Sequence, residues 1–284
     1  MDRYTSIFVV ATVAASTLFL TDSRPFAGGL VVAVIAFTLL WLVSLALRNA
    51  GIVDVFWGPG FVVVGGFYLA SSASDAGLRA WIVFALTTIW ALRLALHIGV
   101  RNAGAGEDFR YRTWREQAGR SFWWVSLFKV FLLQAAVLWI VSSPLLLAHA
   151  SGARSDLSLF DLVGLALFGL GFAVEAVADR QLVRFKSDPT NKGRILSSGL
   201  WGRSRHPNYF GEAVLWWGLG LLAFPTGGWL AFIGPAMITF LLMKVSGVAL
   251  LDAALVDRRP GYADYIDSTP AFFPRLGSHR SSGA

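Results

Sequence analysis

Eight apolar runs divide this 284-residue chain, at about 4–20, 26–47, 52–70, 80–100, 122–148, 158–178, 209–224 and 229–250. A helix needs roughly 20 consecutive apolar residues to cross the hydrocarbon core of a bilayer, and most of the runs qualify. A helix also satisfies its own backbone polar groups, as lipid demands. The runs therefore predict an all-α, polytopic transmembrane helix bundle. Eight helices are expected, or seven if one of the two short runs (the first and seventh) is re-entrant or tilted. Only 14% of the residues are charged and mean hydropathy is +0.61, whereas a soluble domain averages about 25% charged. The first run reads as a retained helix: Met1-Asp2-Arg3 is barely basic, and no small-residue cleavage site ends the run cleanly. The chain thus divides into an extra N-terminal transmembrane helix over 1–25, a membrane domain over 26–276 and a disordered Ser/Gly/Arg-rich tail over 277–284.

Charge placement orients the bundle. With the N-terminus inside and eight spans, eighteen Lys and Arg fall in inside segments. Only Arg24, Arg79 and Arg154 fall outside, while Arg93, Lys129 and Lys244 lie within spans. This asymmetry follows the positive-inside rule and puts both termini in the cytoplasm. It also accounts for the net charge of +7 without a nucleic-acid partner. Cysteine is absent, which excludes disulfides and thiolate chemistry. The histidines at 97, 149, 206 and 279 are scattered, so no metal site is expected.

Three polar segments, 101–121, 179–208 and 251–284, share the inside face and together predict a small cytosolic cap. The most distinctive stretch is 194–212, where Arg194, Arg203, Arg205 and His206 are suited to an anionic group. Pro207 then fixes the backbone ahead of an apolar helix that carries Glu212 near its start. The loop from Arg101 and Asn102 onward combines Gly flexibility with alternating charge, and its arginines suit bidentate phosphate binding. Contact with anionic lipid headgroups is the alternative for those arginines. No Walker loop or strand-borne dinucleotide motif appears.

Ionisable groups inside a span are functional candidates by default. Asp54 stands near Pro59, which is expected to kink or open its helix. It reads either as a proton donor or polar anchor, or as a carboxylate favoured by a helix start. Arg93 and His97 share a helix face at i, i+4, and Arg93 is placed to snorkel or pair with Asp54. Glu175 and Asp179 repeat the spacing at the inner end of the sixth run, where the helix dipole opposes them and a partner is expected. Gly164, Gly169 and Gly171 read as close-packing positions. Most of the twelve tryptophans read as interfacial anchors.

Asp54-Val-Phe-Trp-Gly58, Arg101-Asn-x-Gly-x-Gly-Glu-Asp-Phe-Arg-Tyr111 and Arg205-His-Pro-Asn-Tyr-Phe-Gly-Glu212 together resemble a group of bacterial membrane proteins. That group belongs to the steroid 5-alpha-reductase C-terminal-domain-like superfamily, and the resemblance covers roughly 30–275. It implies a bacterial inner-membrane enzyme that uses NADPH to reduce a carbon–carbon double bond of a lipophilic substrate. Asn208, Arg194, Asp179 and Lys186 match cofactor-binding positions, and Glu175 stands where the reductases have Asn. In the reductases a Glu and a Tyr hold and polarise the substrate carbonyl. Asp54 falls roughly at the Glu and Arg93 fits a neighbouring Arg, but Trp90 occupies the Tyr position. If the chemistry is kept, Asp54 or His97 supplies the polarisation.

Arg205-His206-Pro207-x-Tyr209-x-Gly211 also resembles isoprenylcysteine carboxyl methyltransferases and phospholipid methyltransferases, which bind S-adenosylmethionine. Gly261-Tyr262-x-x-Tyr265 and Thr269-Pro270-x-Phe-Phe-Pro274 are compatible with both groups. The resulting expectation places Asp54, Arg93 and His97 at the catalytic end of the substrate cavity. Arg101, Asn102, Asp179, Lys186, Arg194, Arg205, His206, Asn208, Tyr209 and Glu212 are expected at the cofactor. A lipid methyltransferase and a non-enzymatic transporter or scaffold are the alternatives.

Overall fold

Each apolar run from the second onward that the structure describes is helical. The computed structural model describes residues 23–71, 76–149, 157–245 and 259–275, with Val248, Asp252, Leu255 and Val256. All but the last three residues of the 1–25 helix, and the whole 277–284 tail, lie outside the described residues. Among the described residues there is no strand, and the protein is all-α. Six helical stretches are long and apolar enough to cross a membrane, so the chain is a multi-pass membrane protein.

Two compact units make up the chain. The first described here contains α1 (Ser23–Leu47), α2 (Ile52–Ser71), α3 (Leu78–Asn102), α4 (Phe109–Ala118), α5 (Phe122–Ser126), α6 (Leu133–Val141) and α7 (Ser143–Leu147). A π-helical stretch, Leu127–Leu132, joins α5 to α6. Helix α2 runs on through Pro59 rather than ending there. One residue before it, Gly58 lets α2 meet α3 backbone to backbone: a β-carbon there would sit 2.6 Å from the Ala91 carbonyl oxygen. Trp90, on the same turn of α3, is wholly buried and packs edge-on against Phe61. Trp90 is therefore a core aromatic. Trp81, Trp123 and Trp124 are exposed, as interfacial anchors are, while Trp139 is buried and donates to the Phe26 carbonyl.

The other unit contains α8 (Leu159–Ser187) from Asp161, the first part of α9 (Pro207–Gly227), the chain from Pro235 in α10 (Ile233–Phe240), and α11 (Tyr262–Ser268). Helix α8 has 29 residues, about 43 Å at 1.5 Å per residue, longer than a bilayer core of about 30 Å. The sixth apolar stretch, Pro207–Val245, covers both the seventh and eighth sequence runs. Helix α9 passes through Pro225 to Gly227, and the turn starts at Gly228 with φ +54. Beyond the turn, the Trp217 indole donates to the Thr239 hydroxyl at 3.1 Å, so the two arms run back along each other.

Small residues set the α8–α9 distance. β-Carbons on Gly211 and Gly218 would lie 2.5 Å from the Glu175 amide nitrogen and 2.6 Å from that of Phe168. Gly164 and Gly171 supply the facing surface, as the close-packing reading expects. Gly169 differs, with no described atom within 4 Å of its β-carbon position.

Candidate functional site

Pro207 opens α9, where its missing N–H would have had no helical partner. The residues just before it are held by the C-terminal segment. Arg205 donates through Nη1 to the carbonyls of Ile266 (2.9 Å) and Thr269 (2.6 Å), and through Nη2 to Asp252 (2.7 Å). Its amide donates to the Pro270 carbonyl, and the Arg275 amide donates to that of Arg203, both at 2.9 Å. The Ser204 hydroxyl donates to the Phe272 carbonyl, and the Tyr265 hydroxyl to that of Trp201. Arg205 is 8% exposed. It braces the cap of this unit rather than presenting its terminal nitrogens to solvent.

Asp252 is the centre of this lattice. One oxygen accepts from Arg205, and the other pairs with His206 Nε2 (3.0 Å) and accepts from the Tyr262 hydroxyl (2.8 Å). Burial pushes the Asp252 carboxyl up, but the hydrogen bonds from His206, Arg205 and Tyr262 outweigh it and bring it down to about 2. Burial and the neighbouring carboxylate raise Tyr262 above the usual phenol range. Tyr209, one turn into α9, stacks parallel on the His206 ring at 5.5 Å.

On the facing side of the unit, Asn208 Nδ2 donates to Asp179 at 3.1 Å. Helix α8 runs on to Ser187, so Asp179 lies more than two turns before the helix end, and the opposing dipole expected from the sequence does not act there. Glu175, Asp179 and Glu212 are all buried. Two further buried atoms, Asn208 Oδ1 and Arg205 Nε, have no hydrogen-bond partner among the described residues. The loop beyond α8 is tied down by Trp201 donating to the Ala178 carbonyl and by the Leu200 amide donating to Gln181. Lys186 and Arg194 are exposed, and Arg259 donates to the Arg194 carbonyl at 2.8 Å. Asp179, Arg205, His206, Asn208, Tyr209 and Glu212 are thus gathered around the start of α9, with Lys186 in the last turn of α8 and Arg194 on the loop beyond it.

In the first-described unit, Asp54 pairs with residues of the 101–111 loop. Its two oxygens accept from the Tyr111 hydroxyl and from Arg110 Nη2, both at 2.6 Å. Arg110 Nε also donates to Asp108, which caps α4 by accepting from the Arg110 amide. Glu107 accepts from both Nε and Nη2 of Arg115 and from the Ala50 amide at 2.8 Å. Burial raises Glu107, but these donors outweigh it and hold the carboxyl below its usual range. Gly104 and Gly106 have φ +76 and +75, so a left-handed backbone explains those loop glycines. Arg101 is exposed and donates to Asn102, while Arg93 and His97 are half-buried on α3. Arg110 and Tyr111 escaped the sequence reading because their partner is 56 and 57 positions away.

Replacing Glu107 with Gln keeps its size but removes one acceptor face of the Arg115 fork. The expected loss is about 1–2 kcal/mol at this partly exposed pair. Amide exchange at Ala50 should accelerate roughly tenfold. An unchanged exchange rate would place the loop's anchor elsewhere.

Residues 40–269 match the family model described as "Protein of unknown function (DUF1295)". The chain belongs to that family. It is also 28% identical over 297 residues to an uncharacterised protein of the fission yeast Schizosaccharomyces pombe, with 92% of this chain and 83% of the yeast protein aligned. No solved structure matches. The family segment takes in both polar clusters.

Proposed function

We propose that this DUF1295 protein is an NADPH-dependent reductase of a carbon–carbon double bond in a lipophilic substrate. It would be related to the steroid 5-alpha-reductase superfamily and lie in a bacterial inner membrane with both termini cytoplasmic. The observation that carries the reading is the polar cluster at the head of α9. Asn208 is fixed by Asp179, and its Oδ1 is buried without a partner among the described residues. A buried carbonyl oxygen in that state favours a ligand that brings an N–H or O–H donor. An amide or ribose hydroxyl of a dinucleotide qualifies. Asp179 orients Asn208, Glu175 and Glu212 line the same helix pair, and the exposed Arg194 and Lys186 suit phosphates. Arg205 braces this arrangement, and its buried Nε, without a partner among the described residues, is a donor a ligand could engage.

When bound, NADPH would supply the hydride. Polarising the substrate requires a polar group in the membrane domain, and Trp90 cannot act as an acid. Tyr111, with its phenol hydrogen-bonded to Asp54, offers the type of group Trp90 lacks. Asp54 would hold that phenol, while Arg93 and His97 would meet the polar end of the substrate. The alternative, S-adenosylmethionine-dependent methyl transfer, is favoured by the buried acids, which would also accept an ammonium.

The test is thermal unfolding of the detergent-purified protein with NADPH, NADH, S-adenosylmethionine or no ligand. A ligand that binds only the folded state raises its stability, by about 2.7 kcal/mol at 100 times Kd. NADPH is expected to stabilise the wild type, and Arg194→Glu to abolish the shift with normal membrane insertion. Stabilisation by S-adenosylmethionine alone would replace the reductase with a methyltransferase. No shift with any ligand would point to a basic face that binds only anionic lipid.

A further inference from the structure

Asp252 belongs to no sequence motif in this chain, yet it accepts from three side chains that sit 10, 46 and 47 positions away. The two oxygens differ. One faces Arg205, and the other faces His206 Nε2 and the Tyr262 hydroxyl. An ionised carboxylate only accepts, so a hydrogen bond to it requires the proton of neutral His206 to be on Nε2. Nδ1 then carries the lone pair. With Tyr209 stacked on the ring and His206 97% buried (3% exposed), rotation is blocked as well. Asp252 sets the tautomer, and Tyr209 with the surrounding packing holds the ring plane.

We infer that Asp252 is a positioning residue, which fixes His206 as the Nε2–H tautomer so that Nδ1 accepts a hydroxyl or amino donor from the nucleotide bound at the head of α9. The ligand identity rests on the reductase reading, whereas the tautomer assignment does not. Tyr262 supports Asp252 by donating to the oxygen that faces the imidazole. Arg205 has a different part: as a fork of donors that cannot accept, it dictates which end of residue 252 must be oxygen.

That last point makes Asp252→Asn informative. Arg205 will hold the amide oxygen, so the amide NH2 will face His206 Nε2. Nε2 must then accept, and the proton moves to Nδ1, turning the ligand-facing acceptor into a donor. Nitrogen-15 spectra of histidine-labelled full-length protein read this directly, with His206→Phe assigning one signal among four histidines. The wild type is expected as Nε2–H and Asp252→Asn as Nδ1–H. NADPH affinity is expected to fall about tenfold, the effect of one hydrogen bond. In a His206→Phe background, Asp252→Asn should add less than about twofold, because the two act as one unit. Tyr262→Phe should leave the tautomer unchanged.

An Nδ1–H wild type, or no tautomer change in Asp252→Asn, overturns the inference. So does an affinity loss that adds independently to that of His206→Phe. If the wild type binds no NADPH, the reductase reading fails while the nitrogen-15 arm still decides what Asp252 does. Should Asp252→Asn not assemble, Asp252→Glu keeps a carboxylate and must retain the Nε2–H tautomer, with Nδ1–H overturning the proposal.

Discussion

Arg205→Ala is expected to destabilise the protein by about 3–5 kcal/mol, the usual penalty for removing one member of a buried ion pair. The change deletes donors to Ile266, Thr269 and Asp252 together, and leaves the carboxylate facing only His206 and Tyr262. Arg205→Lys should recover only part of the loss, because a single ammonium cannot reproduce the fork. Chemical unfolding of the solubilised protein measures both. A loss below about 1 kcal/mol would show that the C-terminal segment is held by its backbone bonds alone. The pH dependence has a definite sign. The Asp252 carboxyl is depressed from 3.8 to about 2, so its contribution is present above about pH 4 and disappears as pH falls toward 2. In Arg205→Ala that acid-sensitive part should shrink.

The second large effect is at the α8–α9 contact. Gly211→Ala places a β-carbon 2.5 Å from the Glu175 amide nitrogen, a backbone atom with no rotamer to yield. The helices must separate, at a cost of about 3 kcal/mol or more, the upper end of overpacking penalties. Gly169→Ala is the control, with no described atom within 4 Å, and should be neutral or slightly stabilising because alanine favours helix. The difference in unfolding free energy between the two variants is the measurement. Equal stabilities would mean that the close approach is not required. Because Glu175 and Asn208 lie beside this contact, Gly211→Ala should also weaken NADPH binding if the reductase reading holds.

The same pair of glycines shows how far sequence reading reached. Gly164, Gly169 and Gly171 look alike in the chain, yet two face α9 and one faces outward. Period alone does not say which arc of an all-apolar helix meets a neighbour. Pro59 reads as a breaker, yet it lies inside a helix, as Pro225 does. The 101–111 loop showed its glycines and charges, but pairing Asp54 with Arg110 and Tyr111 rather than with Arg93 required the folded chain.

The all-α class and membrane residence followed from apolar run length, because lipid leaves a chain of this composition little else to form. The polar importance of 194–212 followed from the energetic oddity of so many cations between spans. The individual roles did not follow. Arg205 reads as a phosphate ligand by charge, but tertiary contacts turn its nitrogens toward Ile266, Thr269 and Asp252. Asp252 itself has no local signal, since hydrogen bonds between residues 46 and 47 positions apart leave no periodicity behind. Run length and solvent chemistry act along the chain and can be read from it. Partner choice depends on which loops the packed helices bring together, and only the tertiary structure decides that.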